Sequence, residues 1–382
     1  MKAKGSPQRV VVPFAAALST ALEIAATSPS SHNCQPWAVA RLTSDLARRR
    51  AGALLGADVD DGPEYLVLAA NRGRELTALP AHHTEMRLSC GLYWRLLLRA
   101  MAAQGWAARG AVTPPIAQLR ELGIPAEWIP LRLTGFHWIG EQDEDLAELR
   151  VVAAGRHTNR GPFDERPVDA FTLAGLLRHG IGADGPILIR YLTSEYERNR
   201  FADFVKRHGG RDFAHRAAWR ETYSYIRRSA DEAARRGDGF TFTHLFGQLS
   251  PAQLLLRRLV LAPNAMTALR VIGFPRILAG QLAAMVRRAP AIVVLSLPSS
   301  SYQDEDVIAA GERLCDYWLQ ATRAGLVLHP VSIVVQHDDL RAGLRAAFGF
   351  TGRPFFVARL GYPTARFPRS PRRDPHASFR VL

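Results

Sequence analysis

The sequence predicts an α+β protein of two pseudo-repeated halves, each a mixed sheet flanked by helices, with a helical, lid-like block inserted into the second half. Three observations predict this. The order helix, turn, strand, long helix, strand occurs twice. Each long helical stretch carries a glycine fourteen residues before another, Gly91 before Gly105 and Gly311 before Gly325. Between Glu195 and Arg288 the chain is rich in Arg, aromatic residues and helix formers, without a counterpart in the first half. The boundary falls near Gly155, which gives halves 1–154 and 155–382 and an insert at 195–288.

In chain order, Pro13 to Thr27 has helical spacing of apolar residues, Ser28 to Pro36 is turn-rich, and Trp37 to Leu42 has strand character. A long helix follows from about Glu85 to Gln104, then a strand over Pro130 to Gly135. In the second half Phe171 to His179 reads as helix, Gly180 to Gly185 as a turn, and Pro186 to Leu192 as a strand. The second long helix spans about Asp306 to Ala324 and its strand Phe355 to Gly361. The aromatic residues of the insert, Trp219, Tyr223, Tyr225, Phe240, Phe242 and Phe246, suit either a pocket lid or the insert's own core.

With 382 residues, 47% hydrophobic and 22% charged, the chain can bury a full core. No apolar run is long enough for an obvious membrane span. The net charge of +14 is uneven: the insert holds 17 basic and 8 acidic residues, and the tail from Arg353 has 7 Arg against Asp374 alone. Nearly all cations are Arg, since Lys2, Lys4 and Lys206 are the only lysines. Such an excess suits nucleic acid, an anionic surface or a phosphate-bearing cofactor. The insert's aromatics follow no nucleic-acid-binding pattern, so a nucleic-acid partner is not expected, nor a membrane. Cys34, Cys90 and Cys315 are few and far apart, which encodes neither a disulfide framework nor structural zinc and reads as cytoplasmic. Lys2 to Ala26 mimics a signal peptide, but Glu23 interrupts its apolar stretch, favouring an amphipathic helix. The scattered histidines have no metal-ligand spacing, and Pro298 to Ser301 reads as a strand-end turn. Walker, dinucleotide-fingerprint and nucleophile-elbow motifs are absent.

Two segments carry chemistry. Pro29-Ser30-Ser31-His32-Asn33-Cys34-Gln35-Pro36-Trp37 is a loop between helix and strand, where Ser30, Ser31 and Asn33 offer donors and two prolines stiffen the backbone. Arg156-His157-Thr158-Asn159-Arg160, if extended, turns Arg156, Thr158 and Arg160 to one side. Two guanidinium forks and a hydroxyl make a phosphate clasp, because the planar fork gives parallel hydrogen bonds to phosphate oxygens.

Together these segments resemble the nitroreductase superfamily, with its R-x-S-x-R and P-S-x-x-N-x-Q-P-W motifs, Gly-containing central helix (here Ser89 to Gly105) and Gly-Leu stretch (here Gly325 to Ser332). The clasp follows the serine-asparagine loop, an order similar to the Acg-like branch, in which one chain resembles a fused homodimer. The resemblance implies bound FMN, with NAD(P)H as electron donor. It implies that Arg156, Thr158 and Arg160 hold the phosphate with help from Arg372 and Arg373. Ser30, Ser31 and Asn33 would approach the isoalloxazine, with Ser332 in the segment whose backbone reaches flavin N5. Because hydride moves to and from the cofactor, no catalytic side chain is assigned and no metal is needed. The implied activity is an oxidoreductase passing electrons to a small conjugated or nitro-type acceptor. A biosynthetic dehydrogenase returning electrons to oxygen and an FMN-sequestering stress protein are the alternatives. One FMN per chain follows, in a monomer that mimics the family dimer or in a loose homodimer.

Overall fold

The computed structural model describes residues 11–56, 62–142, 144–178, 187–299 and 301–382. The Gly180 to Gly185 turn and most of the opening Lys2 to Pro13 segment lie outside them.

Helix α1 (Phe14–Ala25) buries Phe14, Ala17, Leu18, Ala21 and Leu22, the stripe its spacing dictates. Strand β1 (Trp37–Leu42) follows the loop, then α2 (Asp45–Leu55), β2 (Glu64–Asn71), the long α3 (Pro80–Ala102), β3 (Trp106–Val112), α4 (Ile116–Arg120) and β4 (Trp128–Trp138). These strands form a sheet in the order β3-β4-β2-β1. Helices α5 (Leu146–Gly155) and α6 (Ala170–Arg178) lead to β5 (Leu188–Leu192). After the insert come β6 (Ala291–Leu297), the long helix, β7 (Val327–Pro330), a short helix and β8 (Arg353–Gly361), a second sheet in the order β5-β6-β8-β7. The two orders are the same when corresponding strands are matched, and all pairings among these eight strands are antiparallel. Parallel pairing enters at each edge. The C-terminal β9 (Phe379–Val381) lies parallel to β1, and Thr158 bridges in parallel to Leu328 of β7.

The insert is helical throughout its described elements: α7 (Glu195–His208), α8 (Gly210–Ala214), α9 (Arg216–Ser224), α10 (Ala230–Arg236), α11 (Phe242–Phe246), α12 (Pro251–Val260), α13 (Pro263–Leu269) and α14 (Phe274–Arg287). Helices α15 (Asp304–Arg323) and α16 (Asp338–Phe348) complete the chain's set. A sequence echo marks where the halves diverge. Leu42-Thr43-Ser44-Asp45 and Leu192-Thr193-Ser194-Glu195 each end a first strand and cap a helix, Ser44 accepting from Ala47 N–H and Ser194 from Glu197 N–H. Among the described residues the first half then runs one α-helix before its next strand, whereas the second runs eight.

The matched glycines have two physical jobs. At the crossing of α3 and α15 a Cβ on Gly91 would lie 2.1 Å from the Ile308 carbonyl oxygen, and one on Gly311 2.4 Å from that of Leu88. Only glycine permits that backbone approach. Gly105 (φ 87°) and Gly325 (φ 73°) follow the two helices in left-handed conformation and release the chain into β3 and β7. Ion pairs lace the crossing: Arg87 to Asp304 at 2.8 Å, Arg95 to Asp316 at 2.9 Å, Arg99 to Asp316 at 3.0 Å, and Arg132 of β4 to Glu312 at 2.5 Å. The helices α1, α3 and α15 share one apolar core with the inner faces of both sheets, through Leu66 and Leu68 on one side and Val293 and Leu295 on the other. The outer face of the second sheet packs Ile292, Val294 and Val357 against Phe201 and Val205 of α7 and Val286 of α14. Among the described residues no single helix is long and apolar enough to cross a membrane; α13 and α14 pass such a test only as a pair, bent by 98°.

Candidate functional site

The serine-asparagine loop lies where the halves meet. Three of its non-glycine residues, His32 (φ 51°), Asn33 (φ 54°) and Gln35 (φ 54°), take left-handed backbone, a concentration of strain that surrounding bonds must hold in place. Those bonds are long-range. Asn33 Nδ2 donates to the carbonyls of Gly239 and Pro371, both at 2.9 Å, and its Oδ1 accepts from Arg372 Nη1 at 3.0 Å. Gln35 Nε2 donates to Gly237 O at 2.7 Å, and its Oε1 accepts from the Arg373 N–H at 3.1 Å. Insert and tail therefore clamp the loop from opposite directions. Ser30 Oγ accepts from the Gln35 N–H, while Ser31 Oγ donates to Glu85, whose other oxygen accepts from Gln336 Nε2 at 2.6 Å.

The clasp segment leaves α5 at Arg156 (ψ 125°) and runs extended along β7, with the Asn159 N–H bonded to Leu328 O. Arg156, Thr158 and Arg160 then line one cavity of about 310 Å³ together with Ser30, Asn33 and Arg372. A second cavity of about 240 Å³ adjoins it and shares Ser30, His32, Thr158 and Arg160 with it; Ser31, Glu85, Trp318 and Ser332 are among its other lining residues. Together they reach the size range of small-molecule sites.

The electrostatics are one-sided. Arg156 is buried, its Nε and Nη1 have no partner, and its Nη2 donates to Thr27 O at 3.2 Å. Arg372 Nη2 donates to the same carbonyl at 3.0 Å, and its Nε also lacks a partner. Two buried cations thus share one neutral acceptor. Burial, then the neighbouring Arg372, pulls the Arg156 guanidinium down to about 9, and burial takes Arg160 and Arg372 to about 10. All three remain charged at neutral pH. Among the described residues none of them pairs with a carboxylate. A buried cation without a counter-ion is costly unless a ligand supplies one.

The placements separate residues that the sequence puts side by side. Arg373 lines neither cavity; its Nη1 donates to Ser378 Oγ at 2.9 Å. Asn33 lines the first cavity, but both its amide atoms are engaged in holding the loop. In the 329–332 segment Pro330 and Ser332 face the second cavity, whereas the Val331 N–H donates to Val357 O and His329 turns to the sheet's other face. Three contributors, Arg369, Thr222 and His32, escaped the sequence reading, whereas Phe240 was among the insert aromatics that suited a pocket lid. Arg369 lines the clasp cavity; Thr222 and Phe240 bring the insert to its wall; and His32 faces both cavities. Burial, then His82 and Arg160, lowers His32 to about 3, so its imidazole is neutral; Nε2 lies 3.3 Å from Thr222 Oγ1. The left-handed backbone of His32 was not a signal readable from residue types.

No family model matches the chain. Over 380 residues it is 29% identical to the Serratia protein named "Probable NAD(P)H nitroreductase PigM", spanning 94% of this chain and 92% of that one. A solved structure of a protein classed as a nitroreductase from Anabaena variabilis matches 95% of this chain and 93% of its own, with 10% identity and a TM-score of 0.52. The chain is nitroreductase-like. The match in fold runs nearly end to end in this nitroreductase-like chain, across both sheets and the insert. NfnB of Mycobacterium smegmatis, an FMN-dependent nitroreductase solved with NADPH, matches 59% of this chain and 96% of its own, at 17% identity and a TM-score of 0.36.

Proposed function

We propose that the chain is an FMN-dependent oxidoreductase that takes electrons from NAD(P)H and passes them to a small conjugated or nitro-type acceptor. One FMN is held between halves 1–154 and 155–382, and the two-halved build is that of the Acg-like branch. The observation that carries this reading is the set of three buried guanidinium groups, Arg156, Arg160 and Arg372, with no carboxylate among them. The unpartnered N–H groups of Arg156 and Arg372 fit a phosphate dianion, which would supply the missing acceptor oxygens and, with Arg160 beside them, the missing charge.

When bound, FMN supplies two-electron hydride chemistry, so no side chain is required as a nucleophile. The residues then divide the remaining work. Arg156, Arg160 and Arg372 hold the phosphate, and Thr158 adds a hydroxyl on the same edge. Ser30 and Ser332 offer polar groups along the second cavity. Glu85, bonded to Ser31 and Gln336, fixes the loop against the segment after β7. Neutral His32 fills the junction of the cavities without adding a third kind of charge.

Heat-released cofactor from the purified protein is expected to run as FMN on chromatography, and mixing the anaerobic holoprotein with NADPH is expected to bleach the flavin band. FAD, or a colourless protein that FMN does not reconstitute, would overturn the reading. A yellow protein that NADPH fails to bleach favours the sequestering reading instead. One observation speaks for that alternative: Thr222, Phe240 and Leu245 of the insert form part of the clasp cavity's wall.

A further inference from the structure

A third cavity, of about 790 Å³, lies on the outer face of the second sheet, between β7 and β8 and the insert. Its wall is largely apolar, with the aromatic Phe163, Phe213, Trp219, Phe240, Phe246 and Phe367 set among aliphatic residues such as Leu261, Leu278 and Met285. It adjoins the clasp cavity, because Arg160, Thr222, Phe240 and Leu245 line both.

The cavity contains a buried cation with no acid beside it. Arg359 on β8 is 1% exposed. It stands opposite His329 on β7, with Nη1 donating to His329 Nδ1 at 3.0 Å, Nη2 donating to Gly161 O at 3.2 Å, and the guanidinium 4.1 Å from the centre of the Phe163 ring. Its Nε has no partner. Two of five N–H groups are thus accounted for, both by neutral acceptors, and among the described residues no carboxylate pairs with it. Because Nδ1 of His329 accepts, the proton of the neutral ring sits on Nε2. Burial lowers His329 well below the ordinary imidazole range, so this neighbour brings no compensating charge. Glu165 and Arg288, which also line the cavity, are exposed.

A structural arginine in an apolar core is normally matched by an acid, as Arg99 and Arg132 are here. Arg359 instead lines, with its Nε unpartnered, an apolar-walled space that adjoins the clasp cavity. We propose that this cavity binds a flat aromatic molecule bearing a carboxylate, with its rings against the apolar wall and its carboxylate at Arg359. A guanidinium suits a planar carboxylate, and Phe163, Trp219 and Phe240 offer ring faces for it to pack on. The proposal does not rest on the flavin reading.

The test is equilibrium binding of 2-naphthoate and of its methyl ester, read by quenching of Trp219 fluorescence, with Trp219→Phe as the control for the signal. The wild-type protein is expected to bind the acid at least tenfold tighter than the ester. Arg359→Leu is expected to weaken the acid at least tenfold and the ester less than twofold, with FMN content unchanged. Met285→Trp, which narrows the cavity and leaves Arg359 intact, is expected to weaken both ligands. Equal affinity for acid and ester in the wild type, or binding that neither variant alters, would overturn the proposal. Failure of both ligands to bind a protein that carries FMN would overturn this inference alone, whereas naphthoate binding to a protein that takes up no FMN would overturn the flavin reading alone.

Discussion

Two regions of the molecule bury arginines, and they treat them differently. At the crossing of α3 and α15, Arg95 and Arg99 both reach Asp316, and Arg99 also bonds Glu144. Burial alone would lower the Arg99 pKa, but the hydrogen bonds and field of Glu144 and Asp316 raise it. In the clasp, burial and neighbouring arginines pull Arg156 down instead, with no acid to oppose them. The first arrangement is complete in the protein alone and serves to hold the halves together. The second, on the proposed reading, is completed by an anion. Buried charge is therefore informative about function through its pairing, not through its burial.

The comparison makes predictions of opposite sign. The largest is for the clasp: replacing Arg156 and Arg160 together by Leu removes two charge-assisted interactions, each worth about 1.5–3 kcal/mol, so FMN affinity falls by about a hundredfold or more. Chemical unfolding of the apoprotein should show no loss of stability, because two unpaired buried charges are removed as well. A destabilised apoprotein with unchanged FMN affinity would assign these arginines to the scaffold. At the helix crossing the sign reverses. Asp316→Ala strands Arg95, leaves Arg99 to Glu144 alone, and should destabilise the protein by about 3 kcal/mol while leaving FMN stoichiometry intact. Unfolding midpoints that match the wild type would remove the distinction.

Gly91→Ala sharpens the same contrast without charge. Its Cβ meets backbone 2.1 Å away, so denaturant unfolding should show a loss of about 3 kcal/mol. Gly175→Ala in α6, where a Cβ meets nothing within 4 Å, should instead stabilise by about 0.5–1 kcal/mol. Equal effects at the two positions would mean that helix approach is not what glycine provides. A last effect is a pH slope. The folded pKa of His32, about 3, lies below the ordinary 6.5, so the unfolded chain takes up the proton first. Stability is full above about 6.5 and falls as pH drops toward about 3, by at most about 1.4 kcal/mol per pH unit. His32→Phe should flatten that part of the profile, and identical slopes for the two proteins would place His32 outside the buried site.

Much of this arrangement was legible in the chain. The helix over Phe14–Ala25, the strand Trp37–Leu42 and both long helices follow from periodicity; the matched glycines announced the repeat but not that Gly91 and Gly311 meet where α3 crosses α15. Strand β2 was missed because it is buried on both faces, so Tyr65-Leu66-Val67-Leu68 shows no alternation to read. Strand β3, mostly exposed and alanine-rich, gives little signal either. At the site, residue types announced donors and cations, but not their directions. Arg372 and Arg373 are adjacent in an irregular tail, where no period says which one turns inward. The bond between Asn33 and Gly239 spans 206 residues, so local pattern carries no trace of the clamp that the insert places on the loop.

The central claim is a single anion-requiring site assembled from both halves of one chain. Titration of the apoprotein with FMN, followed by flavin fluorescence and checked by the mass of the intact complex, tests it most directly. The account predicts an endpoint of one FMN per chain, abolished by Leu at Arg156 and Arg160. An endpoint near two, or an endpoint of one that survives that double replacement, would contradict it.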